Sequence, residues 1–390
     1  MPSASSSATP AATAAPRGGL ALKLVGLVVL AAAVLSFPSM APNAFILSVG
    51  VVIMSYAVLA TSWNFVGGFT GYISLGHASY SGLGGYGTAL LVIHTDINPW
   101  IALLLGGLGV AVLAVPIGIA SLRVRGASFV IVSIALVLIL LLVFQSWSSV
   151  TGGSNGLRVP RPFGTDVLRP EQHERFFYIH AALLAVALLC WWLIDRSRFG
   201  MGLKAIREDE DKAQSLGVPT FNYKLTAFVV SAFFTALGGG LYALWFGFLD
   251  PIFQFSILVG SYMVLMSLLG GIRSLFGPLL GAVIVGYALE YFKNAYGDTQ
   301  FHLVALGLLL ALVVLFMPDG IIPAVTAGIQ RFRPQAASIR EESAAELAEQ
   351  RARKHAASDV PPDERTGKDA TNISAHIQPE NADETQGARS

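Results

Sequence analysis

His77 stands within Gly71-Tyr72-Ile73-Ser74-Leu75-Gly76-His77-Ala78-Ser79-Tyr80-Ser81, in an otherwise apolar part of the chain. An imidazole is costly in hydrocarbon unless it is paired or wet. Here Ser74, Ser79 and Ser81 lie within about one helical turn of it, so a polar surface is expected that serves either a moving solute or a neighbouring helix. The pattern is not a metal centre, because no Cys, Asp or second His stands nearby at ligand spacing. Paired carboxylates, a Ser-His-Asp arrangement and a Walker-type phosphate loop are all missing from the sequence, which leaves no visible means of hydrolysing ATP. Cys190 is the single cysteine, so no intrachain disulfide can form.

A second group of chemically capable residues occupies Asp195 to Lys224. Arg196, Arg198, Lys204, Arg207, Lys212 and Lys224 are set there beside Glu208, Asp209, Glu210 and Asp211. Gly202 to Leu216 has the spacing of a short amphipathic helix, with Leu203, Ile206, Ala213 and Leu216 available to one side. Two readings stand: a surface that receives a force or signal from a soluble partner, or a solvated linker that sets topology.

The elements that must position these residues are membrane spans. The 390 residues are 54% hydrophobic and 13% charged, with mean hydropathy +0.63, against about 25% charged in soluble domains. The chain is therefore an integral membrane protein. Nothing in its charge pattern suggests nucleic-acid binding. Apolar stretches predict an all-α polytopic fold with about ten crossings, beginning with Leu20–Phe37, Ala44–Trp63, Gly67–Ile93, Pro99–Ala120 and Ala127–Trp147. The second half continues with Tyr178–Ile194, Leu225–Gly247, Ser256–Gly270, Leu275–Tyr291 and Phe301–Met317. Eight glycines between Gly67 and Gly87 set the third crossing apart. They allow either close helix packing or a break that exposes backbone along a translocation route.

Ten crossings with both termini inside place Arg17, Lys23, Arg123, Arg125, the Asp195–Lys224 loop, Arg273, Arg331 and Arg333 in the cytoplasm. Lys293 and a long loop with Arg158, Arg161, Arg169 and Arg175 fall outside, the latter offset by Asp166, Glu171 and Glu174. The compact basic loops are then the inner ones. Glu290 is expected near an outer end, in contact with water, and Arg273 is expected to anchor topology from the headgroups. Residues 1–19, rich in Ala, Ser, Thr and Pro, and the polar tail 319–390 are expected to be largely disordered, apart from a surface helix at Ile339–His355.

Several stretches together resemble a known family. Gly71-Tyr72-Ile73-Ser74-Leu75-Gly76-His77-Ala78 resembles the signature of the LivM-type permease of branched-chain amino acid ABC importers. Thr151-Gly152-Gly153-Ser154-Asn155-Gly156 is similar to a second stretch of that family, and Gly270-Gly271 with Gly277-Pro278 and Gly281-Ala282 to a third. Gly202 to Glu210, followed by Ala213 and Leu216-Gly217, is similar to its cytoplasmic coupling segment.

The resemblance covers about residues 45–318 and implies a permease in the bacterial cytoplasmic membrane. It implies a second homologous permease subunit, two cytoplasmic ABC ATPase subunits and an extracytoplasmic solute-binding protein as partners. ATP and magnesium would be used by the ATPase subunits, with no cofactor on this chain. The cargo would be a branched-chain amino acid, urea or a short-chain amide. Lys204, Ala205, Ile206, Arg207, Glu208, Ala213, Leu216 and Gly217 would couple to the ATPase, with apolar residues as anchors and Arg207 and Glu208 setting orientation. Ser74, Gly76, His77, Ser79 and Ser81 would line or gate the pathway. Tyr72 stands where the family commonly has Gln, which bears on the cargo, and Arg273-Ser274 replaces a usual Gly-Thr pair. A stand-alone ion-coupled transporter or channel is the competing class, although few acidic groups in the spans could bind a coupling ion.

Overall fold

The computed structural model describes residues 18–164, 167–296, 304, 307–309, 311–312, 315 and 320–324. The expectations for the first seventeen residues, for the tail beyond 324 and for most of Phe301–Met317 fall outside the described residues.

Helix α1 spans Gly18–Met40 and α2 spans Ala44–Thr70. Asn43 starts α2 by accepting a hydrogen bond from the Ile46 amide at 2.9 Å. Gly71, at φ 75°, ends it, and its amide donates to the Gly67 carbonyl at 3.1 Å. After six non-helical residues, α3 runs His77–Thr95 and α4 runs Pro99–Ser121, the latter opened by Asn98 and Pro99. Helix α5 is Ala127–Ser146. A short helix α6, Ser148–Thr151, and a 3₁₀ turn, Gly153–Asn155, lead to strand β1, Leu157–Arg158.

Helix α7 covers Arg169–Arg196, α8 Arg198–Glu208, α9 Glu210–Ser215 and α10 Thr220–Phe246. Strand β2, Phe248–Leu249, pairs antiparallel with β1 and is followed by α11, Pro251–Gln254. Helices α12, Ile257–Gly270, and α13, Gly277–Tyr296, complete the described bundle.

Six of these segments are long and apolar enough to cross a membrane: α2, α4, α5, α7, α10 and the pair α11–α12. The protein is thus an all-α multi-pass membrane protein. Helix α3 falls outside that set because glycines, serines and tyrosines dilute its hydropathy, yet it is buried against α10 and α4. Helix α10 is the most enclosed of the six and also contacts α2 and α7.

Backbone contact explains several of the glycines. A Cβ on Gly84 would lie 2.2 Å from the Ala236 carbonyl oxygen, and one on Gly239 would lie 2.0 Å from that of Ser81. Helices α3 and α10 thus touch backbone to backbone, the arrangement small residues permit inside a bilayer. A break is present as well, at Gly71–Gly76, within the glycine-rich stretch of the expected third crossing. Asn64 stays helical and buried within α2, and the chain leaves the helix only at Gly71.

The later glycine signature forms the α12–α13 hairpin. A Cβ on Gly270 would meet the Gly277 carbonyl oxygen at 1.7 Å, and one on Gly281 that of Met266 at 1.7 Å. Gly271 and Pro278 are buried in the same turn, while Arg273 is exposed. At the Thr151–Gly156 signature, Gly152, Gly153 and Gly156 all have positive φ. Gly156 abuts the Leu249 carbonyl and so seats β1 on β2, whereas Asn155 is exposed.

Candidate functional site

The single amphipathic helix expected over Gly202–Leu216 is two helices. Asp209 is extended, at φ −163° and ψ 110°, and its carboxylate accepts from the Lys212 amide at 3.0 Å to cap α9. Aspartate competes well for this capping role, which is why α8 stops one residue earlier. Ser197 caps α8 in the same way, accepting from the Gly200 amide at 3.0 Å.

The apolar face of the pair is turned inward. Leu203, Ile206 and Ala213 are buried with Phe65 and Phe69 of α2, Trp191 of α7, and Ala227 and Phe234 of α10. These side chains seat the segment on its own bundle, whereas the resemblance implied that its apolar residues anchor an ATPase. Leu216 is 84% exposed, Met201 is exposed, and the Glu208, Asp211 and Lys212 side chains also reach solvent. Ala205 is half-buried, Lys204 is paired with Asp195 at 2.6 Å, and Gly217 closes α9 at φ 85° with open space around it.

Arg207 points toward the bundle as well. Its Nη1 donates to the carbonyl oxygen of Gly68, in the last turn of α2, at 2.7 Å. A few residues on, the Tyr72 hydroxyl donates to Glu210 Oε2 at 2.7 Å. Lys224 Nζ donates to the Tyr72 oxygen at 3.0 Å and to Glu210 Oε1 at 2.5 Å. Lys224 is 3% exposed and also lies over the Tyr72 ring, 4.7 Å from its centre. Arg125, between α4 and α5, reaches Glu210 at 3.2 Å and Asp211 at 2.8 Å. Burial works to raise the Glu210 carboxyl. The hydrogen bonds from Lys224 and Tyr72, with the charges of Lys224 and Arg125, outweigh it and hold the group below the usual carboxylate range.

This latch ties α8 and α9 to the ends of α2 and α10, to the α4–α5 turn and to the Gly71–Gly76 break. The non-helical backbone there is itself satisfied: Trp63 Nε1 donates to the Ser74 carbonyl at 2.7 Å, and the Leu75 amide to Ser133 Oγ at 3.1 Å. Tyr72 belongs to this charged face, where it bonds Glu210 and Lys224. The residue that departs from the family's Gln is thus a member of the latch.

The five expected pathway residues separate. Ser74 and Gly76 border an apolar cavity of about 280 Å³ among α3, α4, α5 and α10. Ser81 borders a larger cleft of about 440 Å³ among α2, α10, α11, α12 and α13. His77 and Ser79 are wholly buried and border neither. His77 Nε2 lies 2.7 Å from Ser231 Oγ, which donates to the Ser62 carbonyl at 2.6 Å. With the serine proton so used, the imidazole donates from Nε2, and a continuous chain links α3, α10 and α2. Among the described residues, no group of three or more His, Cys, Asp or Glu side chains could hold a metal ion.

The latch partners Tyr72, Glu210, Lys224 and Arg125 were not singled out as a site by spacing. The available signal was a cation and an anion in one loop plus an unusual tyrosine, with nothing in the sequence to join them. Glu290 and Lys293, which border the larger cleft, carried only the signal of a charged pair near a helix end.

Residues 45–316 match the family model described as "Branched-chain amino acid transport system / permease component". The chain is 28% identical to the high-affinity branched-chain amino acid transport system permease protein LivM of Escherichia coli (strain K12), over 77% of this chain and 75% of that protein. It is 29% identical to the corresponding LivH protein of the same strain, over 69% of this chain and 91% of that protein. It is also 35% identical to the corresponding BraD protein of Pseudomonas aeruginosa (strain PAO1), over 33% of this chain and 41% of that protein. No solved structure matches. The chain belongs to the family of permease components of branched-chain amino acid transport systems: it is the membrane permease component of an ABC-type importer for such amino acids or related small solutes, with ATP hydrolysis residing on a separate subunit.

Proposed function

We propose that this chain is the LivM-type half of a two-permease core in the bacterial inner membrane. It works with a second homologous permease, two cytoplasmic ATPase subunits and an extracytoplasmic binding protein, and imports branched-chain amino acids. Residues 20–318 form the permease domain, crossing ten times with both termini cytoplasmic, between a short N-terminal segment and a polar tail from 319. The compact basic loops on one face support that orientation. The segment from Lys204 to Gly217 couples the ATPase to the spans.

The observation that carries the coupling role is the direct bonding of α8 and α9 to the break between α2 and α3, through Arg207 on Gly68 and Glu210 on Tyr72. A push on α8–α9 then passes through charged, partly buried contacts to the inner ends of α2 and α10. Gly71–Gly76 is where α2 and α3 pivot. Contact with the ATPase is made by the outward side, with Met201, Glu208 and Leu216. Of the pathway residues, Ser81 meets the solute, while His77 holds α3 against α10.

Reconstitution with all partners tests this reading. Leu216→Glu should cut solute-stimulated ATP hydrolysis by at least tenfold while membrane insertion stays normal. Unchanged stimulation in that variant would remove the coupling assignment.

A further inference from the structure

The 440 Å³ cleft bordered by Ser81 falls inside the about 300–1,000 Å³ range of small-molecule sites. It lies away from the latch. Gly277, at the near end of α13, abuts Gly271, whereas Glu290 stands thirteen residues further on, about 20 Å along the helix. Val52, Leu59 and Val259 supply an apolar wall, and Ser81, Tyr56 and Tyr242 contribute hydroxyls. At its edge Lys293 Nζ is 3.0 Å from Glu290 Oε1, with the two side chains 45% and 19% exposed. Neither residue takes part in the latch, nor in any other ion pair among the described residues.

We propose that this cleft is the permease's own solute station, and that Glu290 and Lys293 receive the ammonium and carboxylate of an amino acid zwitterion. The proposal rests on the importer reading above and narrows its cargo class. A zwitterion carries opposite charges a few bonds apart, so it can insert between the two side chains and exchange one ion pair for two. No charge is left unpaired at any stage: Glu290, the less exposed of the two at 19%, keeps a cationic partner throughout. A neutral amide or urea would part the same pair without compensating either charge. The apolar wall takes the aliphatic side chain, and release follows when the pair re-forms behind the departing solute.

Thiol protection tests the site. In a Cys190→Ser background, Ser81→Cys is reconstituted with the partner subunits and labelled with a small maleimide. Leucine should slow labelling at least fivefold, and acetamide or urea at equal concentration should not. In the added Glu290→Gln, Lys293→Met background, leucine protection should vanish. Equal protection by leucine and acetamide would overturn the zwitterion assignment, as would leucine protection that survives loss of both charges. The leucine–acetamide comparison needs neither charge variant, so misfolding of that variant leaves the test intact. ATP-driven uptake of leucine, acetamide and urea by the unmodified complex, measured in parallel, separates the two levels. Uptake without protection overturns the cleft alone, and no ATP-driven uptake of any of the three solutes overturns the importer reading itself.

Discussion

Tyr72 and Glu210, 138 residues apart in sequence, meet through a 2.7 Å hydrogen bond that joins the α2–α3 break to the first turn of α9. Lys224 closes a triangle with both, and its near-complete burial makes Glu210 its required counter-charge. Removing one partner of a buried pair leaves the other uncompensated and costs about 3–5 kcal/mol. Glu210→Gln should therefore lower the thermal midpoint of the detergent-solubilised protein sharply. Tyr72→Phe, which leaves the ion pair standing, should cost about 1 kcal/mol. Equal midpoints for the two variants would speak against the triangle.

The same carboxylate gives a pH signature. Its folded pKa lies below the ordinary value near 4.5, so its contribution to stability is complete above that value and is lost as pH falls through the lower folded one. The stability gap between wild type and Glu210→Gln should be constant at neutral pH and narrow below pH 4.5. Thermal scans across that range check the sign, and a gap that widens on acidification would contradict it.

His77 is expected to behave as a structural tie. His77→Gln can still present a donor to Ser231 and should retain most uptake. His77→Leu should lose about 1 kcal/mol, in the upper range for single hydrogen bonds between membrane helices. Neither should change which solutes are carried. A shift in the order of preference among leucine, isoleucine and valine would return His77 to the pathway.

The α3–α10 contact is a matter of space. Gly239→Val would drive a side chain into the Ser81 carbonyl, and expression of folded protein should collapse. Gly109→Ala has nothing within 4 Å of the added carbon and should be neutral, or stabilise α4 by up to about 1 kcal/mol. Fluorescence-detected size exclusion of the two variants distinguishes them.

Much of this architecture was legible because its signals are local. Asn43 and the Asn98-Pro99 pair mark helix starts, and apolar length marks the spans. The break was legible, since glycines crowd the Gly67–Gly87 stretch in which it falls, but the end of the helix before it was not. Polar Asn64 stays helical once buried among its neighbours, and Gly71 is the residue that turns the chain. The coupling helix divides at Asp209 because a side-chain cap there competes with helix continuation, a contest that apolar spacing does not register. Its inward face follows from the aromatic wall of Phe65, Phe69 and Trp191, which is assembled only by tertiary packing. The Tyr72–Glu210–Lys224 triangle and the cleft at Glu290 are products of chain crossing, and a single sequence does not state which residues cross.

The central claim is that force entering at α8–α9 reaches the spans through the latch. A double-mutant cycle on solute moved per ATP hydrolysed, using Tyr72→Phe and Glu210→Gln in the fully reconstituted complex, measures it most directly. The account predicts strong non-additivity, with the double variant little worse than Glu210→Gln alone. Losses that simply add, or transport per ATP left intact in every variant, would contradict it.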